Sequence, residues 1–169
     1  MAEYDSTRDT EKLDWGLDPM FWTAAKLFVA DILKSRPAHL PEVYFVGEYK
    51  VVRQVEIVGV VVGVTNSAKF NSFLVDDGTG VIPCIQWHPR NFGDSSEKTA
   101  GAALPGYYGG NPESNAPAIS LGSLVCVVGK MSEFRNQLQI KAKSVVNVDN
   151  DPNFETLAWL ERMAIRKSI

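Results

Sequence analysis

The run QVEIVGVVVGVT, Gln54–Thr65, constrains this chain more than any other stretch. It is dense in β-branched residues and shows no helical spacing of its apolar positions, so it reads as one long strand. Gly59 and Gly63 interrupt it. A glycine lets a strand coil where a side chain would crowd the interior, and a strand coiled in this way can belong to two sheets at once. Two further β-prone runs, KFNSFLVDD (Lys69–Asp77) and GVIPCIQW (Gly80–Trp87), flank the turn Asp77-Gly78-Thr79-Gly80. Its glycines are expected to supply the positive-φ positions of a tight hairpin. An antiparallel three-strand meander follows. GSLVCVVGKMSEF (Gly122–Phe134) and NQLQIKAKSVVNV (Asn136–Val148) make another hairpin, turning near Arg135-Asn136. In its second strand Leu138, Ile140 and Ala142 alternate with Gln137, Gln139, Lys141 and Lys143, which puts one face in the core and the other in water.

A meander of three strands plus a hairpin, with the first strand bent at glycines, is the pattern of the OB-fold, a small partly open five-stranded barrel. A β-sandwich is the rival, but it wants about seven short strands at regular spacing. The expected class is therefore mainly β, a five-stranded OB-fold barrel with an N-terminal and a C-terminal helix. Asp18-Pro19 reads as cap and first position of a helix running to about Lys34, with Phe21, Ala24, Ala25, Phe28 and Ile32 as its apolar stripe. Arg36-Pro37 and Leu40-Pro41 end it, and Val43–Val46 with Tyr49–Val52 form a short ribbon across Gly47-Glu48. Asp151-Pro152 again reads as cap and first turn, opening a second helix. The resulting layout is an acidic tail over 1–17, an OB-fold domain over 18–150 and a partner-binding helix over 151–169. Within the domain the Gly/Pro/Ser/Asn-rich stretch at about 88–121 is expected to be a mobile, irregular loop with one helical turn near Ala100–Leu104.

Hydrophobic residues at 45% and charged residues at 22% are the balance of an ordinary globular protein, and 169 residues suit one domain. No stretch has the length of a membrane span. The acidic, polar start lacks the basic end and apolar run of a signal peptide, so an intracellular protein is expected. Cys84 and Cys126 sit in apolar runs without metal-ligand spacing, and both read as reduced core residues. The net charge of −3 is unevenly spread. Residues 1–20 hold six acids against Arg8 and Lys12, so the remainder sums to +1. Residues 122–148 carry Lys130, Arg135, Lys141 and Lys143 against Glu133 alone. That local excess of three positive charges is modest, and phosphate attraction scales with the number of phosphates neutralised, so weak binding by this chain alone is expected.

OB-folds hold oligonucleotides on the face of their second and third strands, between the loop joining strands one and two and the loop joining strands four and five. That region offers Lys69, Phe70 and Phe73, then Trp87, His88 and Arg90, then Arg135, Lys141 and Lys143. Aromatic rings stack on unpaired bases and cations track phosphates, a combination suited to single strands. Phe70 and Phe73 point to opposite faces of one strand, and Phe73 reads as core. Trp87 divides evenly between stacking on a base and capping the barrel. Lys141 and Lys143 read as solvent-facing charges on the strand where DNA would lie. Asp76 and Asp77 point to opposite faces, and Asp77 belongs to the turn, so they do not form an acid/base pair or an ion site. His39 and His88 have no evident nucleophile partner, so no catalysis, metal or cofactor is expected. The terminal helix carries Phe154, Leu157, Ala158, Trp159, Leu160, Met163, Ala164 and Ile165, more apolar surface than docking on one barrel requires. Leu157, Leu160 and Ala164 can face one way while Trp159 and Met163 spill round the side, as in a helix that meets a partner.

WGLDP (Trp15–Pro19), VDDGTGVIPCIQW (Val75–Trp87) and DPNFETLAWLERM (Asp151–Met163) together resemble the N-terminal OB domain of the Stn subunits of the telomere-capping CST complex. Those subunits are similar to the middle subunit of replication protein A. The resemblance spans about residues 15–165, and its central motif is the most specific. It implies a small OB-fold partner, Ten, bound as a heterodimer through the C-terminal helix, with Phe154, Leu157, Trp159, Leu160, Met163 and Ala164 at the interface. It also implies a large third subunit, single-stranded telomeric DNA, and engagement of DNA polymerase α–primase, in the nucleus at chromosome ends. Trp87 matches the family's DNA-face tryptophan. The alternative is an architectural heterodimerisation subunit of a replication protein A-type complex with little DNA binding of its own.

Overall fold

A computed structural model describes residues 19–47, 50–87 and 119–167. The acidic tail, Asp18, His88, Arg90 and the expected turn near Ala100–Leu104 lie outside the described residues. The elements in chain order are α1 (Pro19–Trp22), β1 (Ala24–Lys26), α2 (Val29–Leu33), β2 (Arg36–Pro37), β3 (Tyr44–Val46), β4 (Lys50–Val52), β5 (Gln54–Asn66), β6 (Phe70–Asp76), β7 (Val81–Trp87), β8 (Leu124–Phe134), β9 (Gln137–Asn147) and α3 (Phe154–Arg166).

The large sheet runs β1-β5-β6-β7-β9-β8 and closes through β5 and β8. β5 performs the closure. Val60 is opposite Asp76 on β6 and also opposite Leu124 on β8, so the strand passes from one side of the barrel to the other at its middle. Gly59 sits at that crossing, where a Cβ would strike the carbonyl oxygen of Asp76 and lie 2.8 Å from Val75 Cγ1. A bulge between Val61 and Gly63 adds twist. Gly129 marks a second coiling point that the sequence pattern did not announce. The β8–β9 register shifts there, and a Cβ would collide with the Lys141 carbonyl. Inside, Phe73, Ile57, Ile82, Met131 and Ile140 fill the barrel. Cys84 is buried and Cys126 partly buried, both free thiols; burial pushes Cys84 upward and Cys126 to about 11.

The single helix expected to reach Lys34 is instead α1, then β1, then α2. Ala24–Lys26 run parallel to Gln54–Glu56, and Leu27 N–H donates to Glu56 O at 3.2 Å. An open strand edge offers backbone partners at once, whereas a short isolated helix is marginal. Phe21, Ala25, Phe28 and Ile32 are buried in this arrangement too. The ribbon forms as expected, with Arg36–Pro37 added as its third strand. In the β6–β7 turn only Gly78 takes a positive φ, of 80°. Gly80 is required for space, since a Cβ would stand 3.1 Å from Val29 Cγ1 and 3.2 Å from Leu33 Cδ1. Arg135 and Asn136 both have positive φ, 51° and 62°, at the β8–β9 turn. Asp151 does not cap the last helix. The N-cap position is Asn153, and Asp151 closes the preceding turn by accepting from Asn153 N–H at 3.0 Å.

Asp77 joins the turn to the N-terminal segment. Its Oδ1 accepts from Thr79 N–H (2.9 Å), Thr79 Oγ1–H (2.7 Å) and Gly80 N–H (3.2 Å), and its Oδ2 accepts from Val29 N–H at 2.8 Å. Thr79 Oγ1 also accepts from Ala30 N–H at 3.1 Å. Phe28, the residue at the N-cap position of α2, offers no side-chain cap, so the VDDGTG turn supplies it from a distance. Asp77→Ala strands these donors in a buried place and is expected to cost about 1–3 kcal/mol in urea unfolding with an unchanged m-value; a loss below about 0.5 kcal/mol would contradict the role.

Candidate nucleic-acid interface

Alternation along β6 and β7 sends Phe73, Val75, Ile82 and Cys84 inward and Phe70, Ile85 and Trp87 outward. Phe70 is directly opposite Trp87, with ring centroids 5.2 Å apart and planes tilted by 58°. Trp87 keeps 58% of its surface exposed, so it does not close the barrel. β9 runs parallel to β7 with Lys141 beside Ile85. Lys143, two residues further along β9, is the residue left without a partner at the β8–β9 register shift, and both lysines are exposed. Lys69 is exposed just before β6, where Ser67 N–H donates to Phe70 O. The fold thus sets Lys69, Phe70 and Trp87 together and places Lys141 on the strand beside them, with Lys143 further along that strand. Arg135 stands at the opposite end of β9, its guanidinium 5.1 Å over the Phe134 ring. His88 and Arg90 lie outside the described residues.

One residue of this region has no signal in the local sequence. Glu42, in the turn before β3, accepts from Lys130 Nζ and from Lys141 Nζ, each at 3.0 Å. Hydrogen bonds from Lys141 and then Lys130 hold its carboxyl below the usual carboxylate range. The positive excess counted along residues 122–148 is reduced by this carboxylate from elsewhere in the chain.

On another side of the barrel α3 is fastened by a buried arginine. Arg162, only 3% exposed, donates from Nε to Leu27 O (3.2 Å) and from Nη1 to Ala158 O (3.0 Å). Its Nη2 donates to Glu56 O (3.3 Å) and Glu56 Oε1 (3.4 Å). Lys26 with Glu161 and Arg166 with Asp31 add ion pairs at 2.7 Å and 3.2 Å. Trp159, expected to spill towards a partner, packs edge-on against Phe28 with centroids 4.9 Å apart, while Phe154 is half-buried. The opposite side of the helix carries Leu157, Leu160 and Met163, 61%, 54% and 40% exposed, with Ala164 among them. Sequence reading missed Arg162, because an arginine between apolar positions reads as a solvent-facing residue. Among the described residues no group of three or more His, Cys, Asp or Glu side chains could hold a metal, and no helix is long and apolar enough to cross a membrane.

Residues 55–148 match a family described as an OB-fold nucleic acid binding domain. The chain is 32% identical over 178 residues to CST complex subunit STN1 of Ailuropoda melanoleuca, covering 99% of this chain and 47% of the relative. Against the Homo sapiens protein of that name the figures are 32% over 168 residues, 95% and 45%. Against the Arabidopsis thaliana one they are 32% over 148 residues, 86% and 91%. The chain thus spans about half the length of these mammalian relatives and most of the plant one. It superposes on the S. pombe Stn1–Ten1 crystal structure with a TM-score of 0.66 and 25% identity, covering 86% of this chain and 93% of that one. A replication protein A heterotrimer bound to single-stranded DNA shares the fold, with a TM-score of 0.62, 21% identity and coverage of 86% and 97%.

Two stability measurements follow from the site. Arg162→Met leaves the Glu56 carboxylate buried without its partner and is expected to lose about 3–5 kcal/mol in chemical denaturation, whereas Leu160→Glu on the outer side of α3 stays within about 0.5 kcal/mol of the parent chain. Equal losses would mean that the helix is not oriented as described. Glu42, with its carboxyl depressed in the folded state, stabilises the protein above the unfolded carboxylate range, and that contribution is lost as pH falls through its folded value. The gap between the parent chain and Glu42→Gln, at most about 1 kcal/mol at neutral pH for so exposed a pair, should therefore close in acid below about pH 4. A gap that widens in acid would contradict the assignment.

Proposed function

We propose, from the premise that this chain belongs to the STN1 family of CST complex subunits and carries its OB-fold nucleic acid binding domain, that it binds single-stranded telomeric DNA and assembles with a small OB-fold partner. The observation that carries the reading is the outward Phe70–Trp87 pair, beside Lys141 and Lys143 on the adjoining strand. Bases of an unpaired strand stack on the rings while the phosphates follow the lysines along β9. The relative from S. pombe was solved with Ten1, and the outer stripe of α3 supports a matching contact here. Leu157, Leu160, Met163 and Ala164 form the helix-to-helix seam with the Ten subunit, and a large third subunit completes a CST complex. In the nucleus such a complex protects chromosome ends and supports telomere replication with DNA polymerase α–primase.

A second reading has an observation of its own. Glu42 already partners Lys141, so an architectural subunit that heterodimerises and scarcely touches DNA also fits the charge of this face. Titrating a G-rich single strand against the chain, with and without its small OB partner at two salt concentrations, separates the two. The DNA reading expects salt-dependent binding that strengthens with the partner, and a loss of about 1–3 kcal/mol for Trp87→Ala. Leu157→Glu is expected to abolish co-purification with the partner. Complexes carrying Trp87→Ala and Lys143→Glu that bind DNA like the parent would leave the architectural reading in its place.

A further inference from the structure

Lys130 and Lys141 are directly opposite each other on β8 and β9. Each is next to an inward residue, Met131 and Ile140 respectively, so both ammonium groups project from the outer surface of the barrel. Like charges facing each other across a strand pair are destabilising, and such a pair calls for an anion between them. Glu42 provides it, with one carboxylate oxygen on each lysine at 3.0 Å. The position is held rather than incidental. Glu42 has a φ of 59°, a region that non-glycine residues occupy only when the surroundings impose it. The imposition comes from the next residues, Val43 and Tyr44, which are buried, and from the hydrogen bonds Val43 N–H to Leu40 O and Ala38 N–H to Val43 O.

Lys141 therefore has two claims on it, one from Glu42 and one from any strand lying along β9. Resting on the DNA-binding reading above, we infer that the Lys130–Lys141 pair is a subsite for the phosphodiester backbone of a bound single strand, which Glu42 occupies as an internal counter-anion until a phosphate displaces it. A carboxylate and a phosphate oxygen pair present the same acceptor chemistry to two ammonium groups, so one replaces the other without rebuilding the site. The exchange also lowers salt sensitivity, because the displaced Glu42 carboxylate takes up cation from solution and offsets part of the cation release from the strand. Lys130 enters the interface through this subsite, although it lies on β8, two strands beyond the aromatic pair of β6 and β7.

The test measures affinity for a G-rich single strand across a salt series for the parent chain, Glu42→Gln, Glu42→Gly and Glu42→Gln/Lys130→Gln, in complex with the small OB partner. Glu42→Gly suits the positive φ and guards against a variant that fails to fold for want of the ion pairs. Both single variants should bind roughly two- to five-fold more tightly at low salt, the worth of an exposed ion pair no longer in competition. Their slope of log affinity against log salt should steepen by less than about 0.7, one phosphate's worth, because no displaced carboxylate takes back a cation. Adding Lys130→Gln should return the slope towards the parent value. A parent that binds while Glu42→Gln and Glu42→Gly match it in affinity and slope overturns the subsite alone. Absence of binding in all four proteins rejects the DNA reading and the subsite with it.

Discussion

The buried guanidinium of Arg162 decides which side of the terminal helix faces the solvent, and the proposed division of the molecule into two working surfaces rests on it. Three of its four hydrogen bonds go to backbone carbonyls, those of Leu27, Ala158 and Glu56, and the fourth to the Glu56 carboxylate. A charge taken out of water is tolerated only where its donors are met, so turning α3 by even one residue would leave a desolvated cation unpartnered. The helix is locked with Ala158, Trp159 and Arg162 inward. Leu157, Leu160 and Met163 stay outside as a consequence of that lock, although their burial against the barrel would be favourable by area alone.

The barrel imposes a complementary constraint. β5 must pair with β6 along its second half and with β8 along its first, and Gly59 and the bulge before Gly63 make the passage sterically possible. Closure fixes the direction of β9 beside β7, which brings a basic strand next to an aromatic pair. The charge of this face is restrained from within by Glu42. A weakly basic outer sheet fits the proposed subunit of an assembly, in which a neighbour would add reach, better than an autonomous binder.

What the sequence made legible was what short-range pattern encodes. β-Branched density and two-residue alternation identified β5 to β9, because one face of each strand is buried and a slip by one residue would exchange the faces. The inward Phe73 and the opposite face for Phe70 followed from the same alternation, whereas Trp87, at a strand end, stayed evenly divided until its 58% exposure placed it outside. The exposed stripe of α3 followed from helical spacing. What escaped was long-range pairing. β1 has no strand signal of its own and exists because β5 leaves an edge open beside it. Asp77 was legible as a turn residue but not as the acceptor for Val29 N–H. Glu42 meets lysines 88 and 99 positions away, and Arg162 meets Glu56 across 106 positions, separations over which composition and periodicity say nothing.

The central claim is that two separate surfaces of one small barrel serve two different ligands. Amide hydrogen exchange of the chain with a G-rich single strand, and separately with the small OB partner, tests it most directly. DNA should slow exchange in β6, β7 and β9 and leave the outer side of α3 unchanged, while the partner should slow exchange along 154–164. Protection by DNA that falls on α3, or that spares all three strands, would contradict the account.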